Sequence, residues 1–229
     1  MRKRIATFAV AALALGGSVL PAQARTSDST TRAVSSLLSA DPACPSAGSF
    51  TYQAFVTAAN TFPLFAAVGD TATRQREIAA FLANAGHETS GGWPTAPDGP
   101  YAWGLCFKEE PSPPIDYCDT SQLLFPCAPG LVSSDPVVGW KTALWFWMNK
   151  VNQYGQGKVT SHGAMTGPTG QGFGQTIEIF NGGIECGVPT PPAAADRIGY
   201  FKRIADILGV SYLRKPGDRL DCENSQPAA

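Results

Sequence analysis

The chain has 229 residues and a net charge of −1. A chain of this length can bury a substantial apolar core, and nothing in its sequence requires a second folded domain. A nearly neutral chain lacks the basic surface that polyanions require, so we expect no nucleic-acid partner. We expect a monomer.

Residues 1–24 have the pattern of a secretory signal peptide. Cations at positions 2–4 precede an apolar run over 5–20, and the small-x-small sequence at 22–24 is typical of a cleavage site. Glycines interrupt the apolar run, which is short of the ~20 residues that span a bilayer. We therefore predict a secreted, extracellular protein with no membrane contact after cleavage.

Six cysteines follow this segment. They are Cys44, Cys106, Cys118, Cys127, Cys186 and Cys222. An even number in an exported chain favours disulfides over metal ligation, although the spacing leaves many pairings open. A zinc site needs clustered Cys and His, whereas the chain has only two histidines and no Cys-x-x-Cys. We expect neither a metal nor a cofactor.

Residues 25–43 are predicted to be a flexible N-terminal arm, because they are rich in Ser and Thr and lack periodicity. The main domain is predicted to cover 44–229. Within it, apolar residues at helical spacing predict helices over 52–60 and 73–86. Glu88 would then lie just beyond the end of the second helix.

The long segment 89–136 is dense in Gly, Pro, Ser and Asp, which predicts a loop, and its cysteines predict that disulfides hold it. Further helices are predicted over 138–149, 173–180 and 196–208. The aromatic residues of 138–149 are expected to pack in the core rather than to stack on a ligand. The chain is thus predicted to be mainly α, with long disulfide-stapled loops.

Acidic residues occur at two places in a Trp- and Gly-rich segment. Glu88 belongs to the sequence HETSGGW at 87–93, and the pair Glu109–Glu110 follows. Cleavage of a glycosidic bond needs one carboxylic acid to protonate the leaving oxygen and a second carboxylate to activate water or to attack. Glu88 and Glu110 are the candidates for these two roles.

Several motifs in a fixed order carry a resemblance to a known family. They are FLA at 81–83, HETSGGW at 87–93, APDGPYAWG at 96–104, WFWM at 145–148, NGGIECG at 181–187 and ADRIG at 195–199. Together they resemble the plant-type catalytic domain of glycoside hydrolase family 19 chitinases over most of 44–222. The resemblance implies a lysozyme-like fold and endo-acting hydrolysis of β-1,4-linked N-acetylglucosamine polymers, with inversion at the anomeric carbon. Chitin or a chitooligosaccharide would be the substrate.

The resemblance also implies roles for single residues. Glu88 would be the general acid and Glu110 the general base, with Glu109 a surface charge. Glu185 and Arg197 would form a charge network around the acid, although an ion pair that only joins two helices is an alternative. Trp103, Tyr117, Lys158 and Asn181 would contact sugar. The implied disulfides are Cys44–Cys106, Cys118–Cys127 and Cys186–Cys222. His87 and His162 are expected to be hydrogen-bonded structural residues.

One departure from the family lies near Gly130. Roughly 30 residues of the family pattern are absent there, enough for two average helices, and a shorter gap lies between Ser39 and Asp41. The absent segment supplies the family's water-holding serine, so we expect impaired activity. Two alternatives stay open: a chitin- or cell-wall-binding protein without catalysis, and a peptidoglycan hydrolase, since a fold does not fix function.

Overall fold

A computed structural model describes residues 27–37, 43–46, 48–109, 129–151 and 158–225. The helices in these ranges are α1 (Asp28–Ser35), α2 (Tyr52–Ala59), α3 (Thr71–Ser90), α4 (Pro129–Ser134), α5 (Pro136–Asn149), α6 (Ser161–Thr166), α7 (Phe173–Glu185) and α8 (Pro192–Leu208). An isolated antiparallel bridge pairs Val151 with Thr160. The prediction of a mainly α fold is confirmed.

Helix α3 is the centre of the fold. It begins where the Asp70 carboxylate accepts the Thr73 N–H at 2.7 Å, a helix N-cap that satisfies a free backbone donor. Most of its length is buried, including the small residues Ala79, Ala80 and Ala83. Helix α8 packs along α3, and α1, α6 and α7 also contact it. The last turn of α3 is therefore held in place by the packing of the rest of the helix in the core.

The predicted flexible arm is wrong for part of its length. Residues 28–35 form α1, which packs against α3 and α8, and Ala33, Val34 and Leu37 are fully buried. The Ser27 hydroxyl accepts the Thr30 N–H and caps the helix. Two helical turns with only two apolar residues are too short to produce a periodic signal.

Aromatic side chains fill the core beside α3. Phe55, Phe65, Phe81, Trp140 and Trp147 pack on one another with ring centroids 5.2–6.2 Å apart, mostly edge-to-face or tilted, with Phe55 stacked on Phe81. The expectation that the aromatic residues of α5 pack in the core holds for its two buried tryptophans. Its Trp145 and Phe146 remain partly exposed.

Helix α7 departs from the predicted end at the Asn-Gly-Gly sequence. Its backbone is non-helical at Asn181 (φ −148°, ψ 36°), but the helix resumes and continues to Glu185. The predicted stop is therefore an interruption, and the turn that follows it brings Glu185 into the buried interior. Likewise, part of the predicted loop over 89–136 is helix α4 and the start of α5.

Two of the expected disulfides lie in the described ranges and are confirmed. Cys44–Cys106 joins the segment before α2 to the segment after α3, and Cys186–Cys222 joins the end of α7 to the C-terminal segment. The expected Cys118–Cys127 pair lies outside the described residues. None of the helices described above is long and apolar enough to cross a membrane.

Candidate active site

Glu88 lies in the last turn of α3, rather than beyond the helix as predicted. The helix extends to Ser90, and the hydroxyls of Thr89 and Ser90 donate to the carbonyls of Ala85 and Gly86 in the preceding turn. It ends at Gly91, whose left-handed backbone (φ 69°) suits glycine. The Glu88 side chain is 48% exposed, so its carboxyl combines a rigid backbone with access to solvent.

Arg197 of α8 holds the Glu88 carboxyl from the interior. Its Nη2 donates to Glu88 Oε1 at 2.6 Å and to Glu185 Oε1 at 3.0 Å, while its Nε donates to Glu185 Oε2 at 2.9 Å. The arginine is only 1% exposed. Burial opposes its charge, but the bonds to the two glutamates outweigh that effect and raise the pKa of Arg197. The site therefore contains a permanent buried cation between two carboxylates.

Glu185 supplies the buried counter-charge. Burial would raise its pKa, but the hydrogen bonds and charge of Arg197, together with Asn181, lower the pKa of Glu185 below its ordinary value. Asn181 contributes by donating from Nδ2 to Glu185 Oε1 at 2.8 Å. Removing one partner from a buried ion pair of this kind leaves an uncompensated charge, which is costly.

Asn84 is a site residue that the sequence analysis missed. It is fully buried one helical turn before Glu88, and its Oδ1 accepts from Arg197 Nη1 at 3.1 Å. Its Nδ2 donates to the Ala80 carbonyl and to Thr176 Oγ1, which fixes the amide. The signal that could have found it is the i, i+4 spacing to Glu88, which places both residues on one face of α3.

His87 differs from the expectation of a hydrogen-bonded structural residue. Its Nδ1 is buried, and no described residue accepts from it or donates to it. Burial, with the nearby charge of Arg197, lowers the pKa of His87, so the neutral ring is favoured. The histidine therefore adds no second buried cation beside Arg197.

Two tryptophans lie beside the C-terminal end of α3. The rings of Trp93 and Trp103 pack edge-to-face with centroids 5.1 Å apart, and Trp103 Nε1 donates to Asp98 Oδ2 at 2.6 Å. Their loop is anchored to α8 because the Tyr200 hydroxyl donates to the Trp103 carbonyl and bonds Ser90 Oγ. A partly exposed indole held in this way offers a flat apolar surface for a sugar ring.

The other predicted site residues are not all brought together. Lys158 is exposed between α5 and α6, and Glu109 is also exposed, in keeping with a surface charge. Glu110 and Tyr117 lie outside the described residues. The structure thus assembles Glu88, Arg197, Glu185 and Asn181 into one network.

A second buried acid, Glu77, serves the core. It accepts hydrogen bonds from Trp147 Nε1, the Ala66 N–H and His162 Nδ1 at 2.6–3.0 Å. The expectation that His162 is a hydrogen-bonded structural residue is therefore confirmed. Among the described residues, no group of His, Cys, Asp and Glu is arranged to hold a metal ion.

The family follows from the sequence comparison. The family model for class I chitinases matches residues 32–130 and 123–222, two stretches that together span most of the chain. The chain therefore belongs to the class I chitinases, glycoside hydrolase family 19. By class it is a glycoside hydrolase of the endochitinase type.

Curated relatives from plants are similar over most of this chain. An endochitinase of Persea americana is 45% identical over 231 aligned residues, which cover 81% of this chain and 68% of the relative. Chitinase 1 of Oryza sativa subsp. japonica is 44% identical over 233 residues, with 82% and 69% covered. Each alignment is longer than the part of this chain that it covers. The alignments therefore contain gaps in this chain, where the relatives have residues that it lacks.

Solved structures share the fold. Chitinase C from Streptomyces griseus HUT6037 matches with a TM-score of 0.63 and 29% identity, over 86% of this chain and 80% of that one. A class IV chitinase of family GH19 from Zea mays matches with a TM-score of 0.62 and 28% identity, over 85% and 98%. The predicted family 19 chitinase fold is confirmed.

Proposed function

We propose that this protein cleaves β-1,4 linkages between N-acetylglucosamine residues within chitin, with Glu88 as the general acid. The observation that carries the proposal is the bond from buried Arg197 to the half-exposed carboxyl of Glu88. A general acid must reach the leaving oxygen in a fixed geometry. A carboxyl in the last turn of a buried helix, oriented by an immobile cation, meets that requirement.

The charge network supports this role without placing a net positive charge behind the acid. Because Glu185 makes two of the bonds of Arg197, the guanidinium is already neutralised when it contacts Glu88. Arg197 can then orient the Glu88 carboxyl through Oε1, while the side chain stays half exposed to solvent. Orientation of this kind can account for large rate factors, since misplacement of a reacting group by about 1 Å can cost ~10²-fold in rate.

Glu110 is proposed as the general base. An inverting reaction needs a second carboxylate about 6.5–9.5 Å from the acid, which leaves room for the attacking water. The neighbouring Glu109 is exposed at the end of the described segment. It provides the control, because its substitution removes a carboxylate that is not proposed to take part in the reaction. Trp103, Asn181, Lys158 and Tyr117 are proposed to contact the sugar.

Substitution of three glutamates tests the assignment. We expect Glu88→Gln and Glu110→Gln each to lower the release of reducing ends from a soluble chitin oligosaccharide by at least ~10², as expected for loss of acid–base catalysis. Glu109→Gln should behave as wild type. Equal activity of Glu88→Gln and wild type would exclude Glu88 as the acid.

A binding function without hydrolysis is the second candidate. It is favoured by the two separate family-model matches, which meet at residues 123–130, because a missing segment there would remove the group that holds the water. Retention on chitin beads with no sugar release, lost in Trp103→Ala, would support binding alone. Sugar release by wild type would exclude it and leave only the question of how far the rate is reduced.

Export is proposed together with the enzymatic function. Two disulfides among the described residues suit an oxidising compartment, and residues 1–24 have the composition of a cleaved leader. N-terminal sequencing of the protein recovered from outside the cell should begin after position 24. Recovery of the uncleaved chain inside the cell would contradict export.

A further inference from the structure

The Arg197 guanidinium has an aromatic contact besides its hydrogen bonds. The group donates to Glu88, Glu185 and Asn84. Arg197 Cζ also lies over the ring of Phe180, 5.5 Å from the ring centroid. A cation over an aromatic face is attracted to the ring, and the attraction grows when water is excluded. Arg197 is 1% exposed, so this contact is in a dry environment.

The Phe180 ring is itself held in place. Phe146 of α5 packs against it with centroids 4.7 Å apart, and Trp147 lies 6.3 Å away. Phe180 directly precedes Asn181, where α7 leaves helical geometry. Two groups that contact Arg197 thus lie on either side of Asn181 in the chain. The Phe180 ring precedes the interruption of the helix, and Glu185 follows it.

We propose that Phe180 is a positioning residue for the general acid, acting through Arg197. The proposal rests on the function proposed for Glu88. The hydrogen bonds orient the nitrogens of the guanidinium, and the attraction of the ring adds a contact that opposes displacement of the group. Because Nη2 bonds Glu88, a displacement of the guanidinium would move the Glu88 carboxyl. Phe180 therefore connects the packing of α5 and α7 to the orientation of the acid on α3.

Substitutions that remove the ring but keep an apolar side chain test the proposal. We expect Phe180→Leu to lower kcat about tenfold with KM within about twofold, because orientation is lost while sugar contacts remain. Phe180→Tyr retains the ring and should keep most of the wild-type kcat. If Phe180→Leu does not fold, Phe180→Met makes the same test, since Met fills the space without an aromatic face.

Phe173 provides the matched control. It lies in the same helix, is fully buried and stacks on Phe201 at 4.3 Å. Phe173→Leu should therefore lower stability at least as much as Phe180→Leu but leave kcat unchanged. A similar fall in kcat in both variants would mean that general loss of packing causes the effect, and it would overturn the proposal. An unchanged kcat in Phe180→Leu would also overturn it.

A spectroscopic measurement separates this inference from the proposed function. The Nε–H of Arg197 is buried and bonded to Glu185 at 2.9 Å, so it should exchange slowly and feel the ring current of Phe180. We expect its NMR signal to shift and exchange faster in Phe180→Leu and to be unchanged in Phe173→Leu. An unchanged signal in Phe180→Leu overturns the inference even if wild type proves inactive on chitin.

Discussion

Arg197 is almost fully buried, yet its Nη2 lies 2.6 Å from the carboxyl of Glu88, which is half exposed. This contact joins the interior of the fold to the solvent-exposed surface across two helices, α8 and α3. The remaining nitrogens of Arg197 bond Glu185 and Asn84. The position of the acid is thus set by a cation that solvent does not reach.

Arg197→Lys should therefore abolish most of the activity while retaining a charge. A lysine ammonium cannot reproduce the planar fork that meets three acceptors, so we expect kcat to fall by ~10² or more. Arg203→Lys, in the same helix, is the control, because the hydrogen bond of Arg203 among the described residues is a long one, 3.5 Å to the Pro100 carbonyl. Full activity in Arg197→Lys would show that the charge alone suffices.

The two buried tryptophans of α5 form a second matched pair. Trp147 Nε1 donates to Glu77 at 3.0 Å, whereas Trp140 Nε1 has no partner among the described residues. A hydrogen bond to a charged group contributes ~1.5–3 kcal/mol. We expect Trp147→Phe to lower the free energy of unfolding by that much more than Trp140→Phe, as measured by urea unfolding. Equal losses would mean that packing alone accounts for both residues.

His87 should make stability depend on pH near neutrality. Burial and the charge of Arg197 lower its pKa below the ordinary 6.5, so the unfolded chain takes up a proton first as pH falls. Its contribution is therefore fully present above ~6.5 and is lost as pH falls through the folded-state pKa. The free energy of unfolding, measured with urea from pH 7.5 to 5, should change with pH less steeply in His87→Gln than in wild type, by up to ~1.4 kcal/mol per pH unit. Parallel curves for the two proteins would contradict this.

The two disulfides should differ in their effect on catalysis. Cys186 directly follows Glu185, whereas Cys44–Cys106 joins segments outside the charge network. Removing either bond should cost ~2–4 kcal/mol of stability. With both proteins folded at low temperature, we expect Cys186→Ser/Cys222→Ser to lower kcat and Cys44→Ser/Cys106→Ser to leave it near wild type. The opposite order would show that the bond at the end of α7 does not hold Glu185.

The sequence predicts the helices whose apolar residues recur at helical spacing, including the eight-residue α2, and does not predict α1, α4 or α6. The periodicity of α8 predicts that helix, whereas α1 has only two buried apolar residues, Ala33 and Val34. The predicted end of α3 is too early, because Thr89 and Ser90 are poor helix formers in isolation. In the fold, their hydroxyls bond carbonyls of the preceding turn.

The site could be predicted only in part, for a similar reason. The acidic candidates and the motif around Asn181 are local in sequence, but the contact between Arg197 and Glu88 joins residues 109 positions apart. Periodicity carries no information about such a pair, and the resemblance to a family supplied it. Asn84 and Phe180 were overlooked because a buried amide and a core aromatic residue look the same in sequence whether or not they touch a cation.

The most direct test of the account is the stereochemistry of the first product. Residues 25–229, expressed in an oxidising compartment, would be mixed with a soluble chitin oligosaccharide and followed by time-resolved proton NMR, with Glu88→Gln as control. We predict that the α-anomer appears first and that Glu88→Gln is silent, as an inverting acid–base pair requires. A β-anomer formed first, or a folded and disulfide-bonded protein that leaves the sugar uncut, would contradict the account.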